Sequence, residues 1–242
     1  MLKRMARAIV TRASSWVAKE ISQDLVTRAY ARELHPNTLL LRRAQVESAD
    51  YIAAHMPRAL SFFGRRELLR FAATKVTIAG HYLEFGVASG ESIRWMARLT
   101  EDTVHGFDSF EGLPEDWPGW KHGKGGFSQG GKLPKVPHNV ELHAGWFDQT
   151  LPPFLASTPG DCAFLHIDCD LYSSTKTVFD LVGPRLRKGS VILFDEYFNY
   201  PNWREHEYKA FQEFVARAGL RYEYLAYGRH QVAVLLTEER VG

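Results

Sequence analysis

Cysteine is scarce in this chain: Cys162 and Cys169 are the only two in 242 residues. Both fall on one predicted strand and its exit. A disulfide framework is therefore not expected, and a reducing, cytoplasmic compartment is. Long apolar runs are missing as well, which argues against an integral membrane segment. Positions 2–17 mix Lys3, Arg4, Arg7 and Arg12 with Leu2, Ile9, Val10, Trp16 and Val17. They lack a continuous apolar stretch of secretory length, so no signal peptide is expected, while a basic amphipathic surface helix stays open. A large excess of one charge is also absent, the net being +2. There is no repeat, no low-complexity segment and no Asn-Pro-Pro-Tyr-type motif for base amines. The basic residues lie in the front section, so nucleic acid is not an expected partner.

What is present is an ordinary globular composition, 45% apolar and 24% charged, at a length that suits one large α/β domain with or without a helical extension. The charge is unevenly spread. Residues 1–77 carry 14 Lys/Arg against 6 Asp/Glu, and the remainder 16 against 22. A basic front section is a solvated helical face, or else a contact for an acidic subunit, a phosphate-bearing substrate or a membrane surface. Residues 1–77 read as helices, with a break at His35-Pro36-Asn37, a second segment over 38–56 stopped by Pro57, and a third from about 61. The expected organisation is a helical extension over 1–77 (acceptor cap or oligomer contact) and a catalytic domain over 78–242.

From position 81 the pattern alternates strand and helix. Residues 81–85 read as a strand, 86–90 as a tight turn with Gly86 and Gly90, 91–99 as a helix and 103–107 as a strand ending at Asp108. Such a unit holds a nucleotide-like cofactor: glycine lets the backbone approach it, and the acid accepts hydrogen bonds from ribose hydroxyls. Glu84, inside an apolar strand, needs a partner. An amino acid's ammonium is a good one, which favours S-adenosylmethionine over a dinucleotide; a salt bridge to a helix Arg or Lys is the alternative. Residues 110–138 are rich in Gly, Pro and Trp and read as a lid loop. Trp117, Trp120 and Phe127 stack on an acceptor there or pin the loop to the sheet.

Two continuous apolar runs, 163–167 and 191–194, read as buried parallel strands, joined by a helix over 173–187. The first ends in Asp168-Cys169-Asp170 and the second in Asp195-Glu196, so four carboxylates converge on one rim of the sheet. Converging carboxylates repel unless a cation or protons neutralise them, which makes a metal site the first reading. The alternative is structural: Asp168 or Asp170 capping the following helix, and Glu196 paired with Arg204. Asp168, His166 and His206 are candidates for the catalytic base. A hairpin over 222–236 closes a mostly parallel sheet with one antiparallel edge strand.

These residues carry a family likeness. Leu83-Glu84-Phe85-Gly86-Val87 with Gly90, Gly106-Phe107-Asp108-Ser109-Phe110-Glu111-Gly112-Leu113-Pro114, Gly145-Trp146-Phe147, His166-Ile167-Asp168-Cys169-Asp170-Leu171-Tyr172 and Phe194-Asp195-Glu196-Tyr197 together resemble class I S-adenosylmethionine-dependent methyltransferases, of the macrocin-O-methyltransferase-like (TylF-type) branch. The resemblance implies a Rossmann-like sheet of seven strands. It implies cofactor contacts at Glu84, Gly86, Ser92 and Asp108, to which position adds Ser109 and Trp146. It implies a divalent metal, magnesium foremost, at Asp168, Asp195 and Glu196, leaving Asp170 structural. It also implies a glycosidic small-molecule acceptor and a homo-oligomer, such as a dimer. Two other readings keep the fold: a phenolic or catechol acceptor, disfavoured by Leu171 where those enzymes commonly carry Lys, and a non-catalytic partner subunit, disfavoured by the intact acids.

Overall fold

The computed structural model describes residues 21–238, so the basic segment at positions 2–17 lies outside the described residues. Contacts divide the chain into two units, Met1–Arg43 and Ala44–Gly242. In the first, helix α1 is described over 21–34 and is followed by the opening turns of α2 (Pro36–His55). The break falls at His35, as the sequence predicts. Pro36 lacks an N–H and is suited to a first helical position, and the Thr38 hydroxyl donates to the Arg32 carbonyl at 2.5 Å. Leu25, Val26, Tyr30 and Leu34 of α1 are each at least 61% exposed.

The second unit is built on one sheet. Its strands are β1 (Leu60–Ser61), β2 (His81–Phe85), β3 (Val104–Asp108), β4 (Val140–Ala144), β5 (Cys162–Ile167), β6 (Val191–Phe194), β7 (Tyr222–Tyr227) and β8 (Val232–Leu236). Their order is β1-β7-β8-β6-β5-β2-β3-β4. All neighbours are parallel except β8, which runs against both β6 and β7 and lies between them. The expected count of seven strands is corrected to eight. Ser61, read from the sequence as the start of the third helix, belongs instead with Leu60 to a strand that pairs with Ala226 and Tyr227. Extended Gly64 holds the helix start back to Arg65, and the Phe62 N–H donates to the Tyr227 carbonyl at 2.9 Å.

The continuous apolar runs have the reason expected of them, since every residue of β5 and β6 is buried. Alternate residues feed two layers. Leu83, Phe85, Phe107, Leu165, Ile167 and Phe194 pack with α5 (Phe147–Ser157), α6 (Tyr172–Val182) and α7 (Glu207–Ala218). Val104, Phe164, Val191 and Leu193 pack with α3 (Arg65–Ala73) and α4 (Glu91–Met96). Among the described residues, no helix is long and apolar enough to cross a membrane.

The sheet order reverses beside β2, which has β3 on one side and β5 on the other. This is where open α/β sheets leave a crevice at their carboxyl ends. Each ladder runs one residue past its strand there. Asp168 N–H donates to Phe85 O (2.9 Å), Asp195 N–H to Ile167 O (2.8 Å) and Gly86 N–H to Phe107 O (2.9 Å). The backbones carrying the candidate groups are thus held by the sheet itself.

Candidate active site

Gly86 leaves β2 with φ of +90°, and a Cβ placed there would lie 1.8 Å from the Asp168 carbonyl oxygen. The exits of β2 and β5 run backbone against backbone, which requires glycine. The turn continues through Ala88 at φ of +44° to Gly90, which precedes α4. Asp108 fastens this turn: Oδ2 accepts from the N–H of Val87 (2.8 Å) and Ala88 (2.7 Å), and Oδ1 from the N–H of Phe110 (2.6 Å). A carboxylate has about four acceptor positions, so one remains for a ribose hydroxyl. Ser109 Oγ accepts from the Glu111 N–H at 3.1 Å.

Glu84 is fully buried on β2. Its Oε1 accepts from Ser92 Oγ at 2.6 Å, while Oε2 has no hydrogen-bond partner. No Arg or Lys pairs with it among the described residues. Its basic neighbour is His166, directly opposite on β5, with Nδ1 at 3.8 Å from Oε1, too far for a hydrogen bond. Burial pushes the His166 pKa down, but Glu84, Asp168 and Asp195 outweigh it and the net direction is up. A buried carboxylate oxygen with no donor is costly, and an ammonium group answers it.

A cavity of about 290 Å³ opens above these groups. The turn from Gly86 to Ser92, Asp108, Ser109, Trp146 and Phe147 line one side, and Asp168, Asp170, Asp195, Glu196 and Arg65 the other. Glu84 and His166 lie beneath the lining. Trp117, Trp120 and Phe127 of the 110–138 loop line it too. The loop folds on itself through Leu113 N–H to Gly126 O (2.9 Å) and Gln129 N–H to Phe110 O (3.0 Å). Trp117 is buried edge-on against Tyr200. His206, a candidate base, has Nε2 at 3.3 Å from the Pro118 carbonyl and supports the loop outside the cavity lining.

The acids converge as expected, with two additions that sequence reasoning missed. Arg65, just before α3 gains its first turn, reaches Asp195 Oδ2 at 2.8 Å and Asp168 Oδ2 at 3.4 Å. Glu207, fully buried at the start of α7, accepts the N–H of Asp170 at 3.1 Å and of Glu196 at 3.2 Å, tying the two acidic turns together. Within metal-ligand reach, Asp168 groups with His166 and Asp195 on one side and with Asp170 and Glu196 on the other. Asp170, expected to stand apart, shares the second group, held at φ of +64°. Strain of this kind costs about 1–3 kcal/mol and persists where the surroundings enforce it. The structural alternatives fail: Leu171, not an acid, precedes α6 without a side-chain cap, and Arg204 lies 4.1 Å over the Trp203 ring rather than on Glu196.

Burial, then the charge of Asp195, pushes the Asp168 pKa up to about 8, against the pull of His166 and Arg65. Burial and mutual repulsion likewise raise Asp170, Glu196 and Glu207 well above the usual carboxylate range. Glu196 Oε2 is buried without a partner. Five carboxylates facing one guanidinium, with an orphaned oxygen among them, suit a hard divalent cation bound through oxygen.

A mostly parallel sheet with its order reversal at β2, a glycine turn closed by a strand-end acid, and a cavity running from that turn to the ends of β5 and β6 define a class I methyltransferase fold. Residues 83–197 match the family model for a methyltransferase domain. The calicheamicin methyltransferase CalS11 is 25% identical, with a TM-score of 0.58 over 85% of this chain and 92% of that one. NovP, an O-methyltransferase 23% identical, shares the fold with a TM-score of 0.55 over 72% and 80%. A tetracenomycin rhamnosyl 4'-O-methyltransferase of Streptomyces olivaceus is 31% identical over 144 residues, 50% of this chain and 54% of the relative. The chain thus spans about half the length of the curated relative it matches. Residues 83–197 are thus similar to methyltransferase domains, and the fold is that of the class I methyltransferases, in keeping with the resemblance its motifs carry.

Proposed function

We propose that the protein methylates a hydroxyl of a sugar or glycosylated small molecule, using S-adenosylmethionine and a divalent cation, magnesium foremost. The carrying observation is the juxtaposition, in one cavity, of the Glu84–Asp108 turn with the buried acids at the ends of β5 and β6. The sugar is supported by the relatives: the Streptomyces olivaceus enzyme is a rhamnosyl O-methyltransferase, and CalS11, in a second structure 26% identical with a TM-score of 0.51 over 85% of this chain and 94% of that one, is a TDP-rhamnose 3'-O-methyltransferase.

In this reading Glu84, steadied by Ser92, takes the ammonium of the methyl donor. Asp108 and Ser109 would take its ribose hydroxyls, Gly86 leaves the backbone room to pass beneath it, and Trp146 would lie towards the adenine. Asp168, Asp195 and Glu196 would hold the cation, with Asp168 common to the two groups that lie within ligand reach. The donor supplies an electrophilic methyl group, and a bound cation would favour ionisation of the acceptor hydroxyl. Asp168 or His166 would receive the hydroxyl proton. His166, buried on β5 opposite Glu84, lies beside both Glu84 and Asp168 and feels the charge of each. Trp117, Trp120 and Phe127 wall the acceptor side and exclude water. Alignment of the acceptor oxygen with the methyl carbon is the chief task of such a site. Calorimetric titration with S-adenosylhomocysteine, followed by turnover on a mixed panel of glycosides and catechols, tests the proposal. Absence of binding refutes the donor, and turnover confined to catechols refutes the sugar.

The acids make the metal testable by pH. The folded-state pKa of Asp168 lies above its unfolded value of about 3.9. The metal-free fold is therefore favoured at low pH and loses that contribution as pH rises towards about 8. Magnesium, which needs the ionised acids, should raise the melting temperature more at pH 8 than at pH 6. A shift that is absent, or equal at both values, removes the metal from the proposal. The exposed apolar side chains of α1 further support a homo-oligomer; a monomeric mass in light scattering at micromolar concentration would exclude it.

A further inference from the structure

A second set of metal-ligating side chains lies on the sheet, and none of its members lines the cavity. His105 is on β3; Glu141 and His143 are on β4, the edge strand. Glu141 is the direct register partner of His105, and His143 stands two residues further on, so all three project from the same face. His105 Nδ1 is 3.2 Å from His143 Nε2. Glu141 Oε2 is 3.7 Å from His105 Nδ1, and its Oε1 is 3.9 Å from His143 Nε2. A tetrahedral ion with bonds of about 2.0–2.2 Å holds its ligand atoms about 3.3–3.6 Å apart. The two imidazole nitrogens, which share a hydrogen bond, stand just inside that spacing, and the carboxylate oxygens lie a few tenths of an ångström beyond it.

The rings are held in place. His143 stacks on Phe107 with centroids 4.4 Å apart and planes at 12°, and His105 packs on Phe154 of α5 at 4.8 Å. His105 is buried, whereas the Glu141 side chain is 61% exposed and leaves a way in from solvent. Two packed imidazoles and an exposed carboxylate at the rim make a three-ligand set with room for a fourth ligand from solvent.

We propose that His105, His143 and Glu141 bind a transition-metal ion of the zinc type, which ties the edge strand β4 to β3. The chemistry separates this site from the acids at the cavity. Imidazole nitrogen suits zinc, nickel or copper, and a purely carboxylate set suits magnesium. The location also gives the ion a structural task. β4 runs directly into Gly145 and Trp146, which line the cavity. Pinning His143 therefore steadies one wall without placing the ion in the reaction.

The experiment is a calorimetric titration of chelator-treated full-length protein with zinc chloride in excess magnesium, alongside melting curves. One zinc equivalent should bind and raise the melting temperature by about 5 °C or more at saturating metal. D195A should retain this binding, because the cavity acids are not its ligands. H143A should weaken it by tenfold or more. E141A, altered only at an exposed position, should also weaken it, and keeps the test decisive should H143A fold poorly. Zinc binding lost in D195A but unchanged in E141A would place the ion at the cavity acids and overturn the proposal, as would no zinc binding at all.

Discussion

Replacing Asp195 with alanine is expected to lower methyl transfer by about a thousandfold or more while S-adenosylhomocysteine binds within about threefold of normal. The side chain is almost fully buried and sits with Asp168 under Arg65. Its removal takes one of three proposed ligands from the cation, so the acceptor hydroxyl loses the group that favours its ionisation. The backbone stays in register because the Asp195 N–H is bonded to Ile167 O. The donor side, built on β2 and β3, touches none of this. Stability should not collapse either, since the change relieves repulsion among buried carboxylates. Single-turnover rates together with calorimetric affinities make the measurement. Activity within tenfold of the parent would remove Asp195 from the metal set.

Glu84→Gln is expected to do the opposite, weakening S-adenosylhomocysteine binding by about a hundredfold. Glutamine keeps the volume and can still accept from Ser92, so the packing of β2 changes little. What it lacks is the charge. The unpartnered Oε2 becomes either an amide N–H₂, which cannot accept from an ammonium, or a neutral carbonyl, which does so weakly. A secondary effect follows at His166, which loses the carboxylate that most raises its proton affinity. Equilibrium titration of the variant reads the loss directly, and an unchanged dissociation constant would refute the ammonium contact.

The central strands were legible because they are buried on both faces, which forces continuous apolar residues and leaves the acids beyond residues 167 and 194 at their ends. The convergence of those acids follows from parallel pairing alone. Glu84 stood out because a carboxylate inside such a strand must be answered. Other features were not legible for identifiable reasons. Glu207 is an acid in the first turn of a helix, a position where an exposed acid favourable to the helix dipole looks the same. Only the packing of α7 against the β5 and β6 exits turns it inward. Arg65 belongs to a segment whose partner lies more than a hundred residues away, and no local pattern marks it. β1 is two residues long, and its pairing is decided by the edge that β7 offers. His105 and His143 are 38 positions apart, and only the β3–β4 register brings them together.

The short strand β1 has a consequence for the acids. Two backbone pairings to Ala226 and Tyr227 anchor the chain four residues before Arg65, whose guanidinium rests on Asp168 and Asp195. Those pairings act as a hinge pin for a counter-charge. While they hold, the protein supplies its own cation to the two acids; if the edge strand peels away, the guanidinium leaves with it and both carboxylates face the cavity bare. The charge at the centre of the sheet is therefore coupled mechanically to its outermost margin, three strands away from β6.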